Sequence, residues 1–312
     1  MNSVIEISVV IPVYNEEGNV FLLFERLNNV FDKLNVSKEY IFINDGSKDK
    51  SIERIKSLAK EYGYVKFVNF SRNFGHQIAV SAGLDYANGE KIVIIDSDLQ
   101  DPPELIYDMY IKMKEGYEVV YAKRKSREGD PLTKKITAKL FYRILSKITE
   151  INIPVDTGDY RIMEKKIVEI LKNMPEQEKY LRGQIAWTGF RQTFIEFNRH
   201  ERHSGNTGYP YSKMFRFAFN GITSFSNFPL KFATYSGFIA AFIAFLLMIY
   251  ALYSRFIIKD YVPGWASLMI CILFLGGVQL ISLGIIGEYI ARLSANIKKR
   301  PLYIIDETNI AK

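Results

Sequence analysis

A chain of 312 residues with 48% hydrophobic and 24% charged side chains is too apolar for a disordered polymer and long enough for a domain of about 200 residues plus an appendage. Its 41 basic residues against 34 acidic give a net charge of +7, which suits a polyanionic partner: nucleic acid, an anionic membrane face or a nucleotide-linked substrate. A single cysteine, Cys271, excludes an intrachain disulfide framework, and its apolar surroundings suit an inert small hydrophobe.

The opening MNSVIEISVVIPVYNEE breaks its short apolar run with a charge and has no basic n-region, so no secretory signal is expected and the N-terminal part is expected in the cytosol. Up to about residue 120, short β-rich runs (ISVVIPVY, YIFIND, VKFVNFS, KIVIIDSD, EVVYAKR) alternate with stretches of helical apolar spacing at 19–35, 48–62 and 74–88. That alternation predicts an α/β fold, a mainly parallel sheet with helices on both faces. Residues 123–147 then carry nine Lys or Arg against two acids, with Ile136, Leu140, Tyr142 and Ile144 interleaved; taken alone this is a solvated amphipathic face.

Beyond residue 230 the chemistry changes. Residues 232–254 and 265–287 carry no charge, and roughly 20 apolar residues at about 1.5 Å each span a bilayer's hydrocarbon, so both read as transmembrane helices. The short connector RFIIKDYVPG makes them a hairpin. Arg216, Lys231, Arg292, Lys298, Lys299 and Arg300 outnumber the connector's Arg255 and Lys259, which predicts both ends in the cytoplasm. The preceding segment 198–231 mixes basic and aromatic residues and suits an interfacial position against the headgroups. The expected organisation is therefore a cytosolic domain over 1–197, an interfacial segment over 198–231, a two-helix span over 232–290 and a cytosolic tail over 291–312.

The stretch IVIIDSDLQDPPE, residues 92–104, runs an apolar strand into Asp96 and Asp98, with Pro102 and Pro103 suited to a turn and the start of a helix. Carboxylates at positions i and i+2 of such a turn can aim at one point, and hard oxygen ligands of this kind suit Mg²⁺ or Mn²⁺ completed by substrate phosphates. The first strand ends IPVYNEE, bringing Pro12, Tyr14 and Glu16 to the same sheet edge, and the second ends NDGS, bringing Asp45. Three polar strand exits converge on one crevice, where open α/β sheets bind ligands. The histidines, His76, His200 and His203, are too few and too badly spaced for a zinc site, and His76 at a helix start reads as structural.

IPVYNE, NDGS, DSDLQDPPE and DTGDYRIM, in this order, resemble glycosyltransferase family 2. With AKRKSREGD, ITSFSNFPL and the two apolar spans, the chain is similar over almost its whole length to the polyprenyl-phosphate glycosyltransferases: dolichol-phosphate mannose synthases and, more closely, bactoprenol glucosyltransferases. The resemblance implies a GT-A domain followed by interfacial helices and a transmembrane hairpin. It implies a nucleoside held by Pro12, Tyr14, Glu16 and Asp45, with Asp45 near the base and Glu16 near the ribose. Asp96 and Asp98, with Gln100, would hold Mg²⁺ or Mn²⁺ on the donor diphosphate.

Arg124, Arg127, Lys134 and Lys135 would hold phosphates, the lipid phosphate among them, with Arg202 or Lys213 offering a further charge. In the rim around residues 202–210, relatives carry a lysine where this chain has Gly208. Asp156 and Asp159 of DTGDYRI are the candidates for a general base or a positioning carboxylate, Asp156 preferred. The implied reaction is a single inverting displacement by the phosphate oxygen of a polyprenyl phosphate in the membrane, with UDP-glucose the first choice of nucleotide sugar over UDP-GlcNAc, UDP-galactose and GDP-mannose. A homo-oligomer is expected from the small residues of LGGVQLISLGIIG.

Competing readings are weaker on the residues. A silent nucleotide-sugar-binding adaptor would have favoured loss of Asp96 or Asp98. A processive synthase needs more spans and a Gln-x-x-Arg-Trp motif, where this chain has QIAW at 184–187. Nucleic acid is not the expected partner, because the basic residues cluster beside the crevice and the membrane. A transporter would need ionisable residues within the spans.

Overall fold

Alternate apolar side chains along the first strands divide between two faces, and each face is covered by helices. The computed structural model describes residues 4–125, 157–197, 228–253 and 264–310. Within them β1 (Ile7–Val13), α1 (Val20–Leu34), β2 (Lys38–Asn44), α2 (Ser51–Glu61), β3 (Val65–Phe70), α3 (His76–Tyr86), β4 (Lys91–Ile94), α4 (Leu105–Met113) and β5 (Val119–Arg124) alternate as the apolar spacing predicts. Ile7, Val9, Ile11, Tyr40 and Phe42 pack with α1, α2 and α4 on one face. Val10, Ile41 and Ile43 pack with α3 on the other. Both faces of the central strands are therefore apolar, as a sheet covered on two sides requires. Gly83 permits close approach there, since a Cβ on it would lie 2.2 Å from Val10 Cγ1.

The strand order is β7-β5-β6-β4-β1-β2-β3-β8. β1 to β4 run parallel, which puts the exits of β1, β2 and β4 on one edge. β6 (Thr157–Glu164) is inserted antiparallel between β4 and β5, followed by α5 (Lys165–Lys172), α6 (Leu181–Trp187) and β7 (Gln192–Phe197), which pairs parallel with β5. Because β6 runs the other way, its first residues lie at the edge where β4 ends.

Two long helices, α7 (Phe228–Tyr253) and α8 (Trp265–Lys298), form a second unit and pack against one another. They cover the described parts of both expected spans, but α7 begins before residue 232 and α8 continues eleven residues past 287, to Lys298. Many of their described large apolar side chains are exposed, Phe238, Leu280 and Ile281 among them, and such a surface marks contact with a membrane or another protein. Among the described residues, Phe274–Lys298 is the stretch long and apolar enough to cross a membrane, with mean hydropathy 1.5.

The tail beyond α8 returns to the sheet as β8 (Ile305–Thr308), antiparallel to β3, a strand that the sequence reading does not anticipate. Short side-chain bonds fix it: the Phe67 N–H donates to Asn309 Oδ1 at 2.8 Å and the Thr308 hydroxyl to the Phe67 carbonyl at 2.6 Å. Lys56 pairs with Glu307. Tyr303 stacks on Phe70 with centroids 5.0 Å apart, and its hydroxyl donates to Asp85 Oδ2 at 2.9 Å. Losing that stack and hydrogen bond in Tyr303→Ala should cost about 2 kcal/mol, visible as a lowered midpoint in thermal unfolding of the detergent-solubilised protein, with Tyr303→Phe retaining most of it.

Candidate functional site

The loops leaving β1 and β2 are laced into one surface by side chains that bind backbone amides. Asn15 turns the first loop in the left-handed region, at φ 55°, which asparagine tolerates better than most residues. Its N–H donates to Ser47 Oγ at 2.9 Å, while its own Oδ1 accepts the Lys48 N–H at 2.8 Å. The Glu16 N–H donates to Ser51 Oγ at 3.0 Å and the Glu17 N–H to Asp49 Oδ2 at 3.0 Å. Tyr14 is left exposed at the rim, Pro12 is buried within β1, and Glu16 is buried with its Oε2 accepting from Asn19 Nδ2.

Asp45 is buried at the exit of β2, where its carboxylate accepts the N–H groups of Phe74 at 2.7 Å and Gly75 at 3.0 Å. Burial pushes its pKa up, and these two amide bonds oppose the shift. Asp45 thus fixes the start of α3. Gly46 lets the chain pass close by: it has φ +65° and a Cβ on it would meet the Arg72 backbone at 2.5 Å.

β4 ends at Ile94, and the chain then carries Asp96 to the same edge. The Gln100 N–H donates to Asp98 Oδ1 at 3.1 Å, an Asx turn, and the buried Leu99 is held at φ 60°, a costly conformation for a branched side chain. Tyr160 of β6 braces the far side of this turn, its hydroxyl donating to the Pro102 carbonyl at 3.0 Å.

β6 supplies the centre of the arrangement. Ile94 is in register with Arg161, so two further steps carry Asp159 opposite Asp96. Asp159 is 5% exposed and accepts from Arg182 Nε at 2.8 Å and from Gln77 Nε2 at 2.9 Å. His76 Nε2 lies 3.1 Å from Asp159 Oδ2 and 3.6 Å from Asp96 Oδ1. Burial alone would raise the Asp159 pKa, but the Arg182 guanidinium and His76 hold it well below the usual carboxylate range. Burial likewise opposes the charge on His76, yet Asp96 and Asp159 outweigh it and lift the imidazole to about 9. Arg161 is buried too, donating to the Gly158 carbonyl at 2.9 Å and the Asp159 carbonyl at 3.1 Å.

Asp96 is the exception in this satisfied network. Its Oδ1 is buried with no hydrogen-bond partner, and at 3.6 Å His76 is too far to count as one. Burial raises its pKa, His76 lowers it, and Asp159 and Asp98 add to the rise. An orphaned carboxylate oxygen with a second acid two residues on fits a hard divalent cation. Among the described residues no three acidic, His or Cys side chains form a ready cage, so such an ion would draw its remaining ligands from water and substrate oxygens.

Of the expected site residues, the structure brings Asp45, Asp96, Asp98, Gln100 and Asp159 to one edge with the Tyr14–Glu16 loop. Arg124 closes β5 in register with Phe197. Asp156, Arg127, Lys134, Lys135 and Arg202 lie outside the described residues. Sequence reasoning passed over Gln77 and Arg182 and took His76 for a purely structural residue. The signal available was the run FGHQ, two polar side chains opening a helix directly after a strand and a glycine.

Comparison with known proteins places this geometry. The profile of glycosyl transferase family 2 matches residues 8–171, and that of the GtrB C-terminal hairpin matches residues 228–293. An uncharacterized glycosyltransferase of Synechocystis is 48% identical over 97% of this chain and 95% of its own length. A prophage bactoprenol glucosyl transferase homolog of Escherichia coli is 40% identical over 96% of this chain and 98% of its own. Among solved structures, glucosyl-3-phosphoglycerate synthase from Mycobacterium tuberculosis in complex with UDP shares the fold, with a TM-score of 0.50 and 19% identity over 70% of this chain and 79% of that one. Sheet order, strand-exit carboxylates and these full-length relatives agree: the chain belongs to glycosyltransferase family 2 and carries a GtrB-type C-terminal hairpin.

Proposed function

We propose that this chain is a membrane-bound inverting glycosyltransferase that moves glucose from UDP-glucose onto a polyprenyl phosphate, giving a β-linked lipid-phosphate sugar. The observation that carries the reading is the orphaned Asp96 oxygen at the strand edge, with Asp98 two residues on and the Asp159 network beside it. The acceptor class is supported by the bactoprenol glucosyl transferases of Shigella phages, about 39% identical to this chain over nearly its full length. The outward apolar faces of α7 and α8 support a membrane location.

In this reading Pro12, Tyr14, Glu16 and Asp45 shape the nucleoside cradle, with Asp45 acting through the Phe74 and Gly75 amides as well as near the base. Asp96 and Asp98, with Gln100, hold Mg²⁺ or Mn²⁺, which when bound neutralises charge building on the leaving diphosphate. Arg124, Arg127, Lys134 and Lys135 hold phosphate oxygens, with Arg202 at the lipid rim. The acceptor oxygen attacks the anomeric carbon from the face opposite the diphosphate. Asp159 serves as an anchor and Asp156 positions the acceptor. A polyprenyl tail resists leaving the bilayer at about 0.8 kcal/mol per CH₂, so the enzyme is carried to the phosphate by its hairpin.

The flanking basic residues support a cytoplasmic face for the catalytic unit, and the tail's return as β8 fits a hairpin with both ends on that side. On this proposal segment 198–231, most of which lies outside the described residues, would be the rim where the lipid enters. Gly276, Gly277, Gly284 and Gly287 leave space for another helix to approach, which favours a homo-oligomer.

Incubation of purified protein with undecaprenyl phosphate and labelled UDP-glucose, UDP-GlcNAc, UDP-galactose or GDP-mannose should give organic-phase label from UDP-glucose, abolished by EDTA. Asp98→Ala should lower the rate roughly 100-fold or more, the several kcal/mol expected of a lost metal contact. Label in a water-soluble polymer would show a processive synthase, and label from a different donor would reassign the sugar. The product's anomeric proton coupling in NMR should report the β configuration, and an α product would overturn the single displacement.

A further inference from the structure

Building on the donor-site reading above, we propose that His76 is a positioning residue for sugar transfer: anchored by Asp159, its imidazole sets the Asp96 carboxylate in the orientation that receives the donor's divalent cation. The ring is fixed from two sides. Its backbone opens α3 directly after Gly75, whose N–H is held by Asp45 at 3.0 Å. Its Nε2 is held by Asp159 Oδ2 at 3.1 Å, and the same oxygen binds the neighbouring Gln77 at 2.9 Å. Gln77 Oε1 in turn accepts the Leu181 N–H at 3.2 Å, so β6, α3 and α6 converge on this one carboxylate.

From that position the ring stands 3.6 Å from Asp96 Oδ1, the buried oxygen with no hydrogen-bond partner. The distance leaves the oxygen's acceptor capacity unspent while keeping the ring of α3's first residue beside the carboxylate. An outer-shell group that holds a metal ligand in place typically controls metal affinity by 10- to 100-fold. Charge works against this effect, because a cationic ring repels an incoming metal ion. Orientation and charge therefore predict opposite outcomes when the ring is replaced.

Free Mn²⁺ can be followed by electron paramagnetic resonance while it is titrated into the full-length protein in detergent with UDP present. His76→Ala should weaken Mn²⁺ binding roughly 10-fold or more. His76→Gln, whose amide nitrogen reaches the place of Nε2, should recover most of it, and the donor KM should follow the same order. His76→Asn, too short to reach Asp159, provides the comparison with His76→Gln if the alanine variant does not fold, and melting curves without metal monitor folding. If all the neutral variants bind Mn²⁺ as tightly as the native protein or more tightly, the ring acts through charge or not at all and the inference fails alone. If the native protein itself takes up no Mn²⁺ with UDP, the donor-site reading falls and this inference with it.

Discussion

Asp159 is an anion removed from water at the start of an antiparallel strand, and the crevice is organised around keeping it satisfied. A buried carboxylate without partners would protonate or destabilise the fold by several kcal/mol. Here Arg182, Gln77 and His76 surround it, which ties α3 and α6 to the strand beside β4. The strand's direction matters as much as its charge. Only an antiparallel β6 delivers its first residues to the edge where parallel β1, β2 and β4 deliver their last, so one inverted strand brings Asp159 opposite Asp96.

The same economy governs the loops leaving β1 and β2. Asn15, Ser47, Asp49 and Ser51 satisfy backbone amides across two loops, and Asp45 reaches over to a third, before α3. Loops bound to one another in this way lose little further freedom when a ligand arrives, which lowers the cost of binding. The third loop is also bound from the tail: the Ser71 N–H donates to the Ile304 carbonyl at 3.0 Å, and Phe70 lies between Phe74 and Tyr303. The chain that leaves the last apolar helix thus re-enters the sheet beside the loop that carries Gly75 and His76.

Much of this was legible in the sequence, for physical reasons. Strands β1 to β5 and helices α1 to α3 bury apolar side chains at regular spacing, and Asp96 and Asp98 follow an apolar run where a sheet ligand site is expected. β6 was not legible as a strand, because its first half places Thr157, Asp159 and Arg161 in the interior, with Asp159 satisfied by Arg182 and Gln77, partners distant in sequence. β8 has the polar sequence IDET, and its pairing depends on the exposed edge of β3 rather than on its own pattern. α8 outran its apolar stretch because Ala291–Lys298 continues with residues of adequate helix propensity and no breaker. His76 reads as structural from its place at a helix start, and its 3.1 Å contact with Asp159, eighty-three positions away, has no local signal in the sequence.

The hydrogen bonds at this edge also bear on what the acceptor can be. A sugar hydroxyl must lose a proton as it attacks, so its transfer needs a carboxylate or imidazole with an unused basic position. Among the described residues at this edge, Asp159 has both oxygens engaged and a depressed pKa, and His76 has Nε2 committed to Asp159. Asp96, with its one open oxygen, is better used on a cation than on a proton. A phosphate monoester arrives already ionised and asks the protein for orientation and charge balance instead of base catalysis. The network around Asp159 provides orientation, and the basic run after β5 carries the charge to meet a phosphate. The acidic residues at this edge are thus arranged in a way that fits a lipid-linked phosphate better than a free hydroxyl.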